Sequence, residues 1–151
     1  MKPVAFDAAL RARLSENLAR SEHAPLAERG LKRAAVCVIV ADDGRGEASL
    51  LLTRRAEQLS THSGQFALPG GRVDRGESAL EAARREAREE IGLELASEDF
   101  LGRLDDYPTR SGYLITPLVA WCRKTSRLVP NPAEVAKIYR VALAEIGRAH
   151  V

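Results

Sequence analysis

Residues 70–93 read GGRVDRGESALEAARREAREEIGL, a glycine-rich opening followed by a run crowded with glutamate and arginine. Ser78, with Glu81 three residues on, forms a capping box, so a helix is expected to begin at Ala79. Gly92 is placed to end it in the left-handed conformation. At helical spacing Leu80, Ala83, Ala87 and Ile91 fall on one apolar stripe. Glu86, Glu89 and Glu90 share a different arc, and Arg84, Arg85 and Arg88 fill the remainder. Like charges one turn apart destabilise a helix, and a hard divalent cation with oxygen ligands relieves that repulsion. The arc therefore points to Mg²⁺ or Mn²⁺. Because Mg²⁺ fills its remaining positions with water and phosphate oxygens, it also points to phosphate chemistry. The competing reading is a solvated face, the commoner fate of a Glu-rich helix taken alone.

The rest of the chain bounds the problem. With 151 residues, 45% hydrophobic and 29% charged, it is one domain long and of ordinary globular composition. A net charge of +2 argues for neither nucleic acid nor a membrane surface as the main partner. The longest early apolar run, AAVCVIV at 34–40, is too short to span a bilayer and too far in to be a signal peptide, so a cytoplasmic protein is expected. Cys37 and Cys122 sit in strand-like segments with no Cys or His at metal spacing and read as buried free thiols.

Working outward, Leu10, Leu14 and Leu18 mark an amphipathic packing helix over about 7–20. Two apolar runs around a polar, Gly-containing turn predict a hairpin with strands near 34–40 and 49–54, each buried on both faces. Residues 56–69 lose periodicity and read as an ordered loop or short strand before the Pro-Gly-Gly turn. FLGRLDD, GYLITPLVAWC and EVAKIYRVAL are strand-like, with Trp121 in the core and Tyr107–Tyr113 a polar loop. The layout is a mixed sheet with few helices, hence α+β. Residues 1–145 are expected to form the single domain. The stretch ALAEI reads as a helix start with nothing after it. Residues 146–151, IGRAHV, match an in-frame translation of a sequencing adapter and are read as a non-native tail.

Position by position, residues 71–93 are more specific than a charged helix. Gly71, Glu77, Arg85-Glu86, Glu89-Glu90 and Gly92, with Ala87 and Leu93 at the apolar positions, resemble the Nudix box. Seven fixed residues at fixed spacing arise by chance at a given start with a frequency of about 10⁻⁸. The resemblance implies the Nudix fold, a mixed β-sheet sandwiched between helices. It implies that Glu86, Glu89 and Glu90 hold the metal and serve catalysis, that the Gly71 carbonyl joins them, and that Glu77 pairs structurally with Arg85. Hydrolysis of a nucleoside diphosphate linked to another moiety is the implied reaction, with a glutamate outside the metal's ligands taking the proton of the attacking water.

The segment LLTRRAEQLSTHSGQFALPGG at 51–71 resembles the signature of the coenzyme A diphosphatases within that family. Leu51, Leu52, Thr53, Arg55, Ala56, Gly64, Pro69, Gly70 and Gly71 match, while Ser60 stands where Arg is usual and Leu68 where Phe is. The resemblance covers about Ala34 to Leu143. It implies cleavage of coenzyme A or its thioesters to 3′,5′-ADP and (acyl-)4′-phosphopantetheine. ADP-ribose, a dinucleoside polyphosphate or a nucleoside triphosphate are alternative substrates, and a catalytically silent binding module is a further one. Arg55, Arg54, His62, Gly64 and Arg72 are candidate substrate contacts, against readings as strand-end or solvated arginines and loop-shaping residues. A homodimer is left open.

Overall fold

The computed structural model describes residues 2–21, 30–59, 63–125 and 127–146. Its centre is a parallel pair of strands. β1 (Lys32–Asp42) runs beside β7 (Tyr113–Cys122), with Lys32 to Ala41 in register with Tyr113 to Cys122. β2 (Ala48–Arg55) turns back antiparallel to β1 as the expected hairpin, and β8 (Val135–Ala142) lies antiparallel along β2. The short strands β3 (Phe66–Ala67) and β4 (Gly70–Arg72) pair with β2 and β1, and β5 (Phe100–Arg103) flanks β7. One mixed sheet results.

Because side chains alternate along a strand, the double-sided apolar run of β1 serves two cores. Ala35, Cys37 and Ile39 meet α2 (Ala79–Ile91), together with Leu51, Leu118 and Ala120. Val40 faces the other side, where α1 (Ala8–Arg20) packs with Ala48, Val119 and Trp121. The Asp7 carboxylate caps α1 by accepting from Leu10 N–H at 2.8 Å. Leu10 is buried, and Leu14 and Leu18 pack beside it as the spacing predicts. Trp121 is core, its ring stacked on Phe6 at 4.0 Å. The helices therefore cover opposite faces of the sheet, the α+β sandwich expected.

Three details differ from the sequence reading. The stripe of α2 that enters the core is Ala82, Ala83, Ala87 and Ile91, while Leu80 is only half-buried. Three alanines let the helix backbone approach the sheet closely, which a leucine would prevent. Residues 107–113 are no plain loop, since β6 (Tyr107–Pro108) pairs with Ile115 and Leu114 to make the tip of a hairpin. After β8 the chain makes a single 3₁₀ turn, Leu143–Glu145, where a helix start was expected, and residues 147–151 lie outside the described ones. Cys37 and Cys122 are free and buried, and burial pushes the Cys37 thiol up to about 12, an inert state. Among the described residues no helix is long and apolar enough to cross a membrane.

Candidate active site

The site is assembled at the ends of α2. Ser78 Oγ accepts from Glu81 N–H at 3.1 Å and Glu81 Oε1 from Ser78 N–H at 3.2 Å, closing the capping box. At the other end Gly92, at φ 69°, donates to Arg88 O, and Leu93 N–H reaches Ala87 O. A side chain at Gly92 would also press on Val129, whose N–H donates to Ile91 O.

Arg85 is the hub of the first turns. Its Nε and Nη2 donate to Glu77 Oε2 and Oε1 at 2.9 and 3.0 Å, its Nη1 to Glu86 Oε1 at 2.9 Å and Glu89 Oε2 at 3.3 Å. Nη2 also donates to the Arg72 carbonyl at 2.9 Å. Glu77 in turn accepts from Asp74 N–H at 2.9 Å, which ties the opening loop to the helix. Hydrogen bonding to the Arg85 guanidinium holds the Glu77 carboxyl below the usual carboxylate range.

Glu86 and Glu90 stand one turn apart with their carboxyl groups close enough to couple, and the coupling adds to the rise of Glu90. Burial, followed by the Glu86 carboxylate, pushes Glu90 up to about 9, with a further contribution from the charge of Glu134. Burial also raises Glu86, against the pull of Arg85. Glu90 Oε1 accepts from Gly70 N–H at 3.4 Å. The backbone of Gly71 lies so close to Glu86 that a Cβ there would stand 2.7 Å from its Cδ. At Gly70 a Cβ would stand 2.8 Å from Val36 Cα, so close backbone approach demands that glycine, whereas at Gly71 the end of the Glu86 side chain would have to move.

Of the three glutamates on the arc, the structure brings Glu86 and Glu90 together and turns Glu89 outward to Arg85. No group of three or more carboxylate, thiol or imidazole side chains forms a ready metal cage among the described residues. The donor set is nonetheless all hard oxygen, it sits beside the Gly70–Gly71 backbone, and a cation would relieve the repulsion between the two carboxylates. A fourth carboxylate stands near. Glu134 follows an Asn131 turn in which Asn131 N–H donates to Glu90 O at 2.8 Å and Glu134 N–H to Asn131 O at 3.0 Å. Its Oε2 is buried with no hydrogen-bond partner among the described residues.

On the other face of β4 lies a cleft of about 510 Å³ whose lining includes Arg55, Phe66, Leu68, Arg72, Tyr113 and Ile115. Of the candidate substrate contacts, Arg55 and Arg72 line it. Arg54 and Gly64 do not: Gly64, at φ 71°, closes the β2–β3 turn by donating to Arg55 O at 3.0 Å. His62 and Ser60 lie outside the described residues.

The family model described as NUDIX domain matches residues 31–150. The chain belongs to the Nudix family. It is 44% identical over 98 residues to a protein of Photorhabdus laumondii named uncharacterized Nudix hydrolase NudL, covering 64% of this chain and 52% of that one. The chain thus spans about half the length of the curated relatives it matches. Among solved structures, a MutT protein from Methanosarcina mazei shares the fold at TM-score 0.60 and 24% identity, over 79% of this chain and 82% of that one. A C. elegans Ap4A hydrolase does so at TM-score 0.59 and 21% identity, over 74% and 80%.

Two residues beside the candidate site escaped the sequence reading. Glu134 is separated from the box by more than forty positions, and its only local signal is the Asn-Pro turn that precedes it. Tyr113 stood where a polar loop met a strand-like run, and the register that lays β7 beside β1 brings it to Arg72.

Proposed function

We propose that this Nudix chain hydrolyses the diphosphate of coenzyme A or its thioesters, with Mg²⁺ or Mn²⁺, to 3′,5′-ADP and (acyl-)4′-phosphopantetheine. The observation that carries the hydrolase reading is the Glu86–Glu90 carboxylate pair set against Gly70–Gly71, on one face of a strand whose other face borders a cleft with two arginines. The coenzyme A reading rests on residues 51–71, which resemble the diphosphatase signature.

In this reading Glu86, Glu89, Glu90 and the Gly71 carbonyl hold the cation. Once bound, such a cation neutralises phosphate charge and makes a bound water acidic enough to attack near neutral pH. Arg85 fixes the glutamates and the backbone of Arg72 in one arrangement, so the carboxylates are set before substrate arrives. Arg55 and Arg72 supply positive charge to the diphosphate. Glu134, with a buried oxygen that no other described residue engages, accepts the proton of the attacking water at Oε2.

The test is turnover of a panel with Mg²⁺ or Mn²⁺: coenzyme A, acetyl-coenzyme A, ADP-ribose, diadenosine tetraphosphate and ATP, with products identified by mass. Coenzyme A and its thioester should be cleaved fastest, giving 3′,5′-ADP. Faster turnover of ADP-ribose or diadenosine tetraphosphate would overturn the coenzyme A reading, and turnover of none would overturn the hydrolase reading.

A further inference from the structure

The side chains of β4 divide the site. Gly71, opposite Ala35, faces the carboxylates, whereas Arg72, opposite Ala34, faces the cleft. The main chain of Arg72 is held by Ala34 on one edge and by Arg85 at its carbonyl. Its side chain is held by something the hydrolytic chemistry does not require. Arg72 Nε donates to Tyr113 Oη at 3.0 Å, and the guanidinium carbon lies 5.6 Å from the centroid of the Tyr113 ring.

Tyr113 is itself firmly set. Its N–H donates to Thr109 Oγ1 at 3.0 Å and its carbonyl accepts from Thr109 N–H at 2.7 Å. Gly112, at φ 93°, makes the tight turn before it, and the Gly112 carbonyl accepts from Lys32 N–H at 2.9 Å. Arginine has five N–H donors. The clamp uses Nε, and among the described residues Arg72 forms no ion pair, so its terminal fork remains for a ligand. Across the cleft Arg55 has a buried Nε with no partner among the described residues. Two guanidinium groups bordering one cleft suit a phosphate.

Resting on the diphosphate hydrolase reading above, we propose that Tyr113 is a positioning residue: it holds Arg72 at the cleft wall so that the Arg72 fork takes a substrate phosphate. An unrestrained arginine side chain carries rotamer entropy, part of which is lost on gripping a ligand. Fixing its side chain beforehand moves that cost out of the binding step. The role is felt in affinity rather than in the chemical step.

The experiment measures ADP binding by calorimetry without divalent cation, for the wild type, Tyr113→Phe, Arg72→Gln and the double variant. Coenzyme A kinetics with Mg²⁺ accompany it. Tyr113→Phe keeps the ring and loses the hydroxyl. It should weaken ADP about three- to tenfold, the range of one hydrogen bond, and raise KM for coenzyme A by a similar factor with a smaller change in kcat. In the Arg72→Gln background, Tyr113→Phe should add nothing. Unchanged ADP affinity in Tyr113→Phe would overturn the proposal, as would a loss that persists without Arg72, or a wild type that does not bind ADP at millimolar concentration. Because ADP binding is read apart from turnover, a chain that fails on coenzyme A but keeps the coupled losses overturns only the substrate reading.

Discussion

The Arg85 guanidinium grips both oxygens of the Glu77 carboxylate, at 2.9 and 3.0 Å, and from the same planar group reaches Glu86 and the Arg72 carbonyl. A fork that joins the opening loop, the helix and β4 is a structural joint. Arg85→Ala should therefore cost stability as well as activity. Leaving Glu77 and Glu86 half-buried without their cation should cost about 3 kcal/mol. For a chain of this size that lowers the melting midpoint by about 6 to 12 °C. A midpoint within 2 °C of wild type in a thermal scan would mean that the fork adds little. Arg85→Lys should recover only part of the loss, because an ammonium cannot serve Glu77 through two parallel bonds.

Gly71 gives a second prediction, since its backbone conformation is open to any residue and only space forbids a side chain. A methyl placed 2.7 Å from Glu86 Cδ must push that carboxylate or β4 aside. Gly71→Ala should destabilise by about 1 to 3 kcal/mol. It should also lower kcat/KM by about a hundredfold, the cost of a misplaced group at a reacting centre. Steady-state kinetics and Mn²⁺ titration check this, and near-normal values for both would show that Glu86 has room to yield.

Features fixed by local chemistry could be read from the residues alone: the capping box, the left-handed Gly92 and α1 with its leucine stripe, whereas the pairing of Glu77 with Arg85 came from the resemblance to the Nudix box. Those that depend on non-local pairing could not. Leu80 lay on the predicted stripe, but the true face of α2 is chosen by how closely three alanines let the helix settle on β1. The rotation that brings Glu90 inward leaves Glu89 at the rim with Arg85. Tyr113 and Glu134 come near the candidate site because β7 lies beside β1 and because the turn at Asn131 docks on the last residues of α2. No periodicity within either segment encodes that.

The raised carboxyl of Glu90 gives the metal-free protein an alkaline pH dependence. A carboxyl raised to about 9 in the fold binds its proton more tightly there than in the unfolded chain. Its contribution is fully present below the ordinary carboxylate range and is lost as pH climbs towards 9. Glu77 is shifted the other way, so its contribution is present at neutral pH and is lost as pH falls below the ordinary carboxylate range. With EDTA present, Glu90→Gln should remove the alkaline loss. At pH 8 it should melt at least about 3 °C above wild type, the shift that roughly 1 kcal/mol gives a chain of this size, and near pH 4 the two should converge. Added Mn²⁺ should stabilise the wild type far more than Glu90→Gln. A variant no more stable than wild type at pH 8 would show that Glu90 is not held protonated.

Glu134 separates a catalytic from a merely structural fourth carboxylate. Its Oε2 makes no hydrogen bond among the described residues, and its backbone, through Asn131 O and the Ala56 N–H, anchors the turn. Glu134→Gln keeps the volume and the backbone bonds and removes only the charge and the proton-accepting oxygen. If Glu134 takes the proton from the attacking water, kcat for coenzyme A should fall about 10² to 10⁴-fold. KM and the melting midpoint should change little. If Glu134 only adds negative charge beside Glu90, the variant should instead keep most of its kcat while the alkaline loss of stability in EDTA becomes smaller. Retention of more than a third of wild-type kcat would exclude Glu134 as the base and return that role to the box glutamates.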